Sequence, residues 1–430
     1  VRTTSIACAI FGGSTRRVVS LGDVGAPGEE TLKERSVRQQ IGVGDLRLGP
    51  LEKRYVLEVL DSNRLSYGPF TERFEAEFAR LHDCRYGIFC NSGTSALHVA
   101  LAALKERHGW ADGDEVLVPA TTFIATSNIV LHNGMRPVFV DISLKDYGMD
   151  PGLIADRVTP RTRAIIPVHL CGLPCDMGPI MDEARRHGLA VIEDSCETMF
   201  ARYQGQSVGS FGEVACFSTY VAHLLVTGVG GLATTNDPDL AVTLRSLCNH
   251  GRDSIYLKID DDQDVGGERL WEIVSRRFSF IRLGHSFRAT EMEAAIGLAQ
   301  LEQRESMLEA RRKNAEYLTA GLSDLQDRLL LPPRPAGRDH KFMVYPILVL
   351  DQRTPKARVV NFLEDNSIET RDLFPLLTQP IYRKLFGDIV RDYPVAKEVA
   401  DRGFYIGCHP GMTRSDLDYV IERFHALFST

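Results

Sequence analysis

The 430-residue chain carries 50 basic and 57 acidic side chains, a net charge of −7, and is 44% hydrophobic. This is the composition of a large globular protein with room for two domains. It has no Lys/Arg block that would recruit nucleic acid or an anionic membrane, and no run approaching the ~20 apolar residues of a membrane span.

Residues 1–45 read as a polar N-terminal extension, because the apolar run Ile6–Phe11 is too short for a signal peptide. From Leu46 onward, helical and strand periods alternate. PFTERFEAEFARLHD places Phe70, Phe74, Phe78 and Leu81 on one helical stripe. RYGIFC predicts a buried strand, and NSGTSALHVALAALKERHG a glycine turn running into a helix. DEVLVPA is a strand, and TTFIATSNIVLHNG a second turn and helix stopped by Gly134. RPVFVDI, RAIIPVHL and LAVIEDS follow as strands, with the helix PIMDEARRHG before the last. CFSTYV and GLATTND form a further strand pair. RATEMEAAIGLAQLEQRESMLEARRKNAEYLTAGL predicts one long helix, with Thr290 and Glu293 as a capping box and Gly321 as its stop. LPPRPAGRDH is a boundary, and KFMVYPILVL opens a smaller α+β portion. The alternation argues for a mostly parallel sheet covered by helices, with ligands at the carboxyl ends of its strands.

Nine cysteines, odd in number and scattered, imply no disulfide framework and point to a reducing cytoplasm. Cys171 and Cys175 could form half a zinc site; no second Cys/His pair follows, which favours two structural thiols.

Four stretches carry candidate chemistry. Gly93, Thr94 and Ser95 sit at a strand-to-helix turn, where backbone N–H groups, two hydroxyls and a helix N-terminus suit an anion; an ordinary capped helix looks the same. Asp194, in IEDSCE, falls at a strand's carboxyl end, where a buried carboxylate needs a cation: a protonated pyridine nitrogen or an arginine. Phe123 could stack on a flat ring or belong to the core. FSTYVAHLLVTGVGG places Ser218 five residues before His223.

In this order the stretches resemble the sugar aminotransferase family of pyridoxal-phosphate enzymes, often named after DegT and StrS. LSYGPFTERFEAEF, PATTFIATSNIVLHNGMRPVFVDI, AIIPVHLCGLPCDM, VIEDSCE, GGLATTND and GHSFRATEMEAAIGLAQL carry the same resemblance, which spans Leu46 to Phe428. It implies the aspartate-aminotransferase-like α/β fold, pyridoxal-phosphate fold type I. A mostly parallel seven-stranded sheet would occupy a cofactor-binding domain over 46–285, with the long helix and a small α+β domain over 286–430. It also implies a homodimer with shared active sites. Carried over, Gly93, Thr94, Ser95 and Ser218 would bind phosphate, Phe123 would stack on the ring, and Asp194 would pair with its nitrogen. Glu197 would stand near the phenolic oxygen. Ser286, in place of an asparagine, would reach the partner subunit's phosphate.

The family's cofactor-tethering lysine is His223 here. Histidine cannot hold the cofactor covalently but can serve as a general base, with an ordinary pKa near 6.5. The histidine branch resembles 3-dehydratases of nucleotide-linked 4-keto-6-deoxyhexoses, which start from pyridoxamine phosphate, with His223 and Asp194 as the catalytic pair. One type carries a [2Fe–2S] cluster. Cys196 matches its first ligand, but Ser254 and Tyr256 replace two later cysteines, so no iron–sulfur cluster is expected. The cluster-free type hydrolyses its product and restores the amine from glutamate. Leu224 after His223, where a second histidine is common, and Val229 in place of an acid depart from that branch. Other pyridoxal-phosphate chemistry (elimination, epimerisation, oxidation or amino transfer) and a non-catalytic partner role are the competing expectations.

Overall fold

A computed structural model describes residues 39–253, 265–276 and 278–429. Most of the expected N-terminal extension, Cys8, and both Ser254 and Tyr256 lie outside the described residues. Residues 39–45, expected to belong to that extension, instead lie along the C-terminal part of the chain. Ile41 is buried and bridges Ile368. The carboxylate of Glu369 accepts the Val43 N–H at 2.8 Å.

The large sheet comprises β1 (Tyr86–Cys90), β2 (Glu115–Pro119), β3 (Arg136–Val140), β4 (Thr162–Ile165), β5 (Ala190–Asp194), β8 (Val214–Ser218) and β9 (Gly231–Thr235). A two-residue-per-strand hairpin, β6 (Arg202–Tyr203) and β7 (Gln206–Ser207), lies outside it. The order is β1-β9-β8-β5-β4-β2-β3. Neighbours from β3 through β8 run parallel, while β9 is antiparallel to both β8 and β1. The seven-stranded, mostly parallel expectation therefore holds. RAIIPVHL forms a shorter strand than its apolar run suggested, because Pro167 has no N–H to give to a ladder. Pairing resumes at the bridge between Val168 and Asp194.

Helices α1 (Pro50–Ser62), α2 (Pro69–Leu81), α3 (Gly93–His108), α4 (Ile124–His132), α5 (Met177–His187) and α6 (Pro238–Cys248) surround the sheet or join its strands. α3 is buried on most of its circumference, and Ala96, Ala100 and Ala103 let it lie close against β8 and β9. This central position sets its N-terminus beside the ends of β5 and β8. Next come the short α7 (Gly267–Arg276) and the long α8 (Glu291–Gly321). The predicted capping box starts α8: Thr290 N–H donates to Glu293 at 2.6 Å, and Glu293 N–H to Thr290 Oγ1 at 3.5 Å. Its 31 residues span about 46 Å.

The C-terminal part is a four-stranded antiparallel sheet of β10 (Leu329–Leu330), β11 (Tyr345–Val349), β12 (Arg371–Asp372) and β13 (Gly403–Ile406), in the order β10-β11-β13-β12. Its own apolar core packs Val359, Leu363, Phe404 and Phe424 together. No helix among the described residues is long and apolar enough to cross a membrane.

Candidate active site

Asp194 closes β5 at its carboxyl end and is only 4% exposed. One carboxylate oxygen accepts the Thr126 hydroxyl at 2.7 Å, the other the Cys196 N–H at 3.2 Å. Burial raises the Asp194 pKa; these donors and the nearby His169 pull it back. No arginine or lysine pairs with it among the described residues, so the salt-bridge alternative falls away. A carboxylate this deep is stabilised when a cation reaches it.

The start of α3 lies against the same place. Ser92 caps the helix by accepting the Ser95 N–H at 3.1 Å. Ser95 Oγ, one of the two hydroxyls expected at the anion site, donates to Asn91 Oδ1 at 2.7 Å and helps hold the turn together. The N–H groups of Gly93 and Thr94 meet no acceptor among the described residues, and the Thr94 side chain is exposed. These are the orphan donors of a helix N-terminus. A Cβ on Gly93 would stand 2.8 Å from both Cys196 Sγ and the Cβ of Ser218. The turn, the segment after β5 and the end of β8 therefore meet with no room for a methyl group. Gly93→Ala should weaken pyridoxamine-phosphate retention by about tenfold or more, because overpacking costs about 1–3 kcal/mol; titration of cofactor fluorescence measures it.

Phe123 is the N-cap of α4 and 58% exposed, which removes the core alternative and leaves an aromatic face free. Glu197 is buried and accepts the Cys171 N–H at 2.9 Å. Burial, reinforced by the charge of Asp194, pushes its carboxyl up to about 8, so at neutral pH it is mostly protonated and can donate a hydrogen bond. A carboxyl raised in the folded state favours folding below its unfolded pKa, and that contribution is lost as pH rises through about 8. Glu197→Gln should therefore gain thermal stability relative to the parent between pH 5 and pH 9, as melting curves at both pH values would show.

His223 lies in the loop between β8 and β9, pinned at its base by the Thr219 N–H to Gly230 O and the Thr227 N–H to Thr219 O, both 2.9 Å. Its ring sits edge-on to Tyr220, with centroids 6.0 Å apart, and its Nδ1 is buried without a partner. Burial, with the Arg311 cation beside it, lowers the imidazole to about 4. The ordinary value near 6.5 is thus corrected: His223 is neutral throughout the neutral range. The ring lines a cavity of about 200 Å³ shared with Arg311 and Gln300.

Gly93, Ser218, Cys196, Asp194 and Glu197 are brought together. The His223 side chain makes no hydrogen bond to any of them, and Ser286 stands apart, exposed, accepting from Arg288 at 3.3 Å. Thr126 and Arg311 were not singled out in the sequence. Thr126 lies three residues past Phe123 in an apolar helix, a position where a hydroxyl carries no pattern of its own. Cys171 and Cys175 are buried, with the Cys175 thiol 3.2 Å from His169 Nδ1. Among the described residues no group of three or more His, Cys, Asp and Glu side chains is placed to hold a metal ion.

The fold agrees with the comparisons. GDP-perosamine synthase of Caulobacter vibrioides is 37% identical over 385 residues, covering 89% of this chain and 96% of that protein. The dTDP-4-dehydro-2,6-dideoxy-D-glucose 3-dehydratase of Saccharopolyspora spinosa is 35% identical over 373 residues, covering 84% and 80%. A solved GDP-4-keto-6-deoxymannose-3-dehydratase with bound GDP-perosamine superimposes with a TM-score of 0.80 at 25% identity, covering 89% of this chain and 99% of that one. These relatives include an aminotransferase-type synthase as well as dehydratases, so the comparisons support a pyridoxal-phosphate-dependent sugar-modifying enzyme and leave the branch open. The model of the DegT/DnrJ/EryC1/StrS aminotransferase family matches residues 47–425, and the chain belongs to that family.

Proposed function

We propose that the protein is a pyridoxamine-phosphate-dependent dehydratase that removes the C3 hydroxyl of a nucleotide-linked 4-keto-6-deoxyhexose. The observation that carries this reading is an imidazole at position 223, neutral through burial and with no partner at Nδ1, where the resemblance places the cofactor-tethering lysine. The cradle fits the group: free donors at Gly93 and Thr94 for the phosphate, exposed Phe123 for the ring face, and Asp194 for a protonated ring nitrogen. Bound pyridoxamine phosphate supplies a primary amine for the sugar's C4 carbonyl and an electron-withdrawing ring.

The chain's own residues supply the rest. Asp194 holds the ring nitrogen's proton. Glu197, protonated at neutral pH, donates to the phenolic oxygen. Ser218 adds a hydroxyl at the phosphate. His223 accepts a proton at Nδ1 and cannot tether the cofactor, which disfavours ordinary amino transfer. Glutamate is the proposed donor that restores the amine. A second copy of the chain is proposed to complete the site; the exposed Phe278, Phe280, Ile281 and Leu283, just before Ser286, support a covered face there. Free thiols at all eight described cysteines support a cytoplasmic setting.

Borohydride reduction in the presence of pyridoxal phosphate, followed by peptide mass spectrometry, tests the untethered cofactor. No modified lysine is expected in the site; a reduced adduct on a pocket lysine would contradict the role of His223. Anaerobic reconstitution should yield no cluster absorbance, whereas stoichiometric iron and sulfide would place the enzyme in the cluster-bearing type.

A further inference from the structure

Arg311 projects from α8 into the interior and is 3% exposed. A guanidinium has five N–H donors in a fixed planar fork. Three are used on backbone carbonyls: Met343 O at 2.7 Å, Phe342 O at 3.4 Å and His223 O at 3.3 Å. One Nη2–H and the Nε–H remain; the Cys408 thiol is in hydrogen-bonding reach of the guanidinium, and Nε has no partner. No carboxylate pairs with the cation among the described residues. Its titratable neighbours are the Cys408 thiol and the imidazoles of His223 and His409. Both histidines have a buried Nδ1 without a partner, and Arg311 contributes to lowering each. Donors and positive potential therefore converge with no anion to receive them, which is costly in an interior.

Of these groups, Arg311 and His223 line the 200 Å³ cavity. Its acidic lining does not answer Arg311. Asp45 is taken by Arg47 at 2.6 Å, and Glu52 accepts from Gln300 and Gln303 at 3.0 and 2.9 Å. Gln303 and Arg311 are eight residues apart on α8, about 12 Å along its axis.

We propose that this cavity is a binding site for a small organic carboxylate, received side-on by the Nε–H and Nη2–H of Arg311 next to His223. Planar bidentate pairing selects a carboxylate over a monodentate anion. The site stands on Arg311 and the cavity and does not depend on the sugar chemistry proposed above.

Calorimetric titration of the chain saturated with pyridoxamine phosphate, using acetate and glutarate with inorganic phosphate as the other oxyanion, tests it. The carboxylates are expected to bind and to raise the melting temperature, and Arg311→Gln to weaken them by about tenfold or more. Met307→Trp fills the cavity while leaving the Arg311 carbonyl bonds intact; it should abolish carboxylate binding with an unliganded melting temperature close to the parent's. It decides the matter should Arg311→Gln fail to fold. Absence of carboxylate binding, preference for phosphate, or equal carboxylate affinity in the folded variants would overturn the assignment.

Discussion

His223→Asn is expected to lower turnover by about 10²–10⁴-fold, the usual loss when a general base is removed, while pyridoxamine phosphate stays bound. Asparagine keeps the size and polarity of the position but cannot accept a proton. The cradle atoms of Gly93, Thr94, Asp194 and Ser218 are held by β5, β8 and α3, none of which the substitution touches. The companion variant, His223→Lys, restores an amine at the end of a flexible side chain. It should form a covalent, borohydride-reducible link to pyridoxal phosphate at position 223 and suppress dehydration. Normal turnover in His223→Asn would remove the histidine from the chemistry. A folded His223→Lys without the link would mean that position 223 does not face the cofactor.

The imidazole lines the Arg311 cavity and makes no hydrogen bond to the cradle, so this pair of variants reads directly whether position 223 reaches the cofactor. The low pKa also shapes the pH profile. With the His223 imidazole titrating near 4, dehydration should not decline on the acid side until well below pH 6. An unperturbed histidine would already be protonated there. The folded-state pKa is depressed, so neutral His223 favours folding above its ordinary pKa near 6.5, and this contribution is lost as pH falls toward 4.

Asp194→Asn should reduce turnover by roughly two to three orders of magnitude, with a smaller loss of cofactor affinity. The carboxylate is buried and, among the described residues, accepts from the Thr126 hydroxyl and from Cys196 with no cation beside it, so the proposed interaction with a protonated ring nitrogen would be little screened. An amide keeps the shape and can accept from Thr126 but cannot hold the ring nitrogen in its protonated form. The proposed phosphate donors at Gly93, Thr94 and Ser218 are independent of it. Turnover and cofactor affinity measured on the same preparation separate the two effects, and unchanged turnover would remove Asp194 from the role.

Much of this was legible in the chain because strand-to-helix turns mark themselves by period and composition. NSGTS before an apolar helix located the α3 turn, and the apolar LAVI before IEDSCE located Asp194 at the end of β5. The capping box at Thr290 and Glu293 is purely local and emerged as read. Less local facts did not show. The bonds of Ser95 to Asn91 and Ser92 had no signal, because those partners are ordinary loop residues. The depressed His223 pKa arises from burial and from Arg311, 88 residues away. The bond between Thr126 and Asp194 joins residues 68 apart through the order of the sheet. Ile41 showed no period to predict its bridge to Ile368.

The most direct measurement is the mass of the sugar product formed when the enzyme, pyridoxamine phosphate and glutamate meet a panel of nucleotide-linked 4-keto-6-deoxyhexoses. Dehydration followed by hydrolysis replaces the C3 hydroxyl with hydrogen and leaves the C4 carbonyl, so the account predicts a product lighter by one oxygen atom, with ammonia released. A 4-amino sugar retaining its C3 hydroxyl would show that the chain is an aminotransferase despite His223 and would contradict the account.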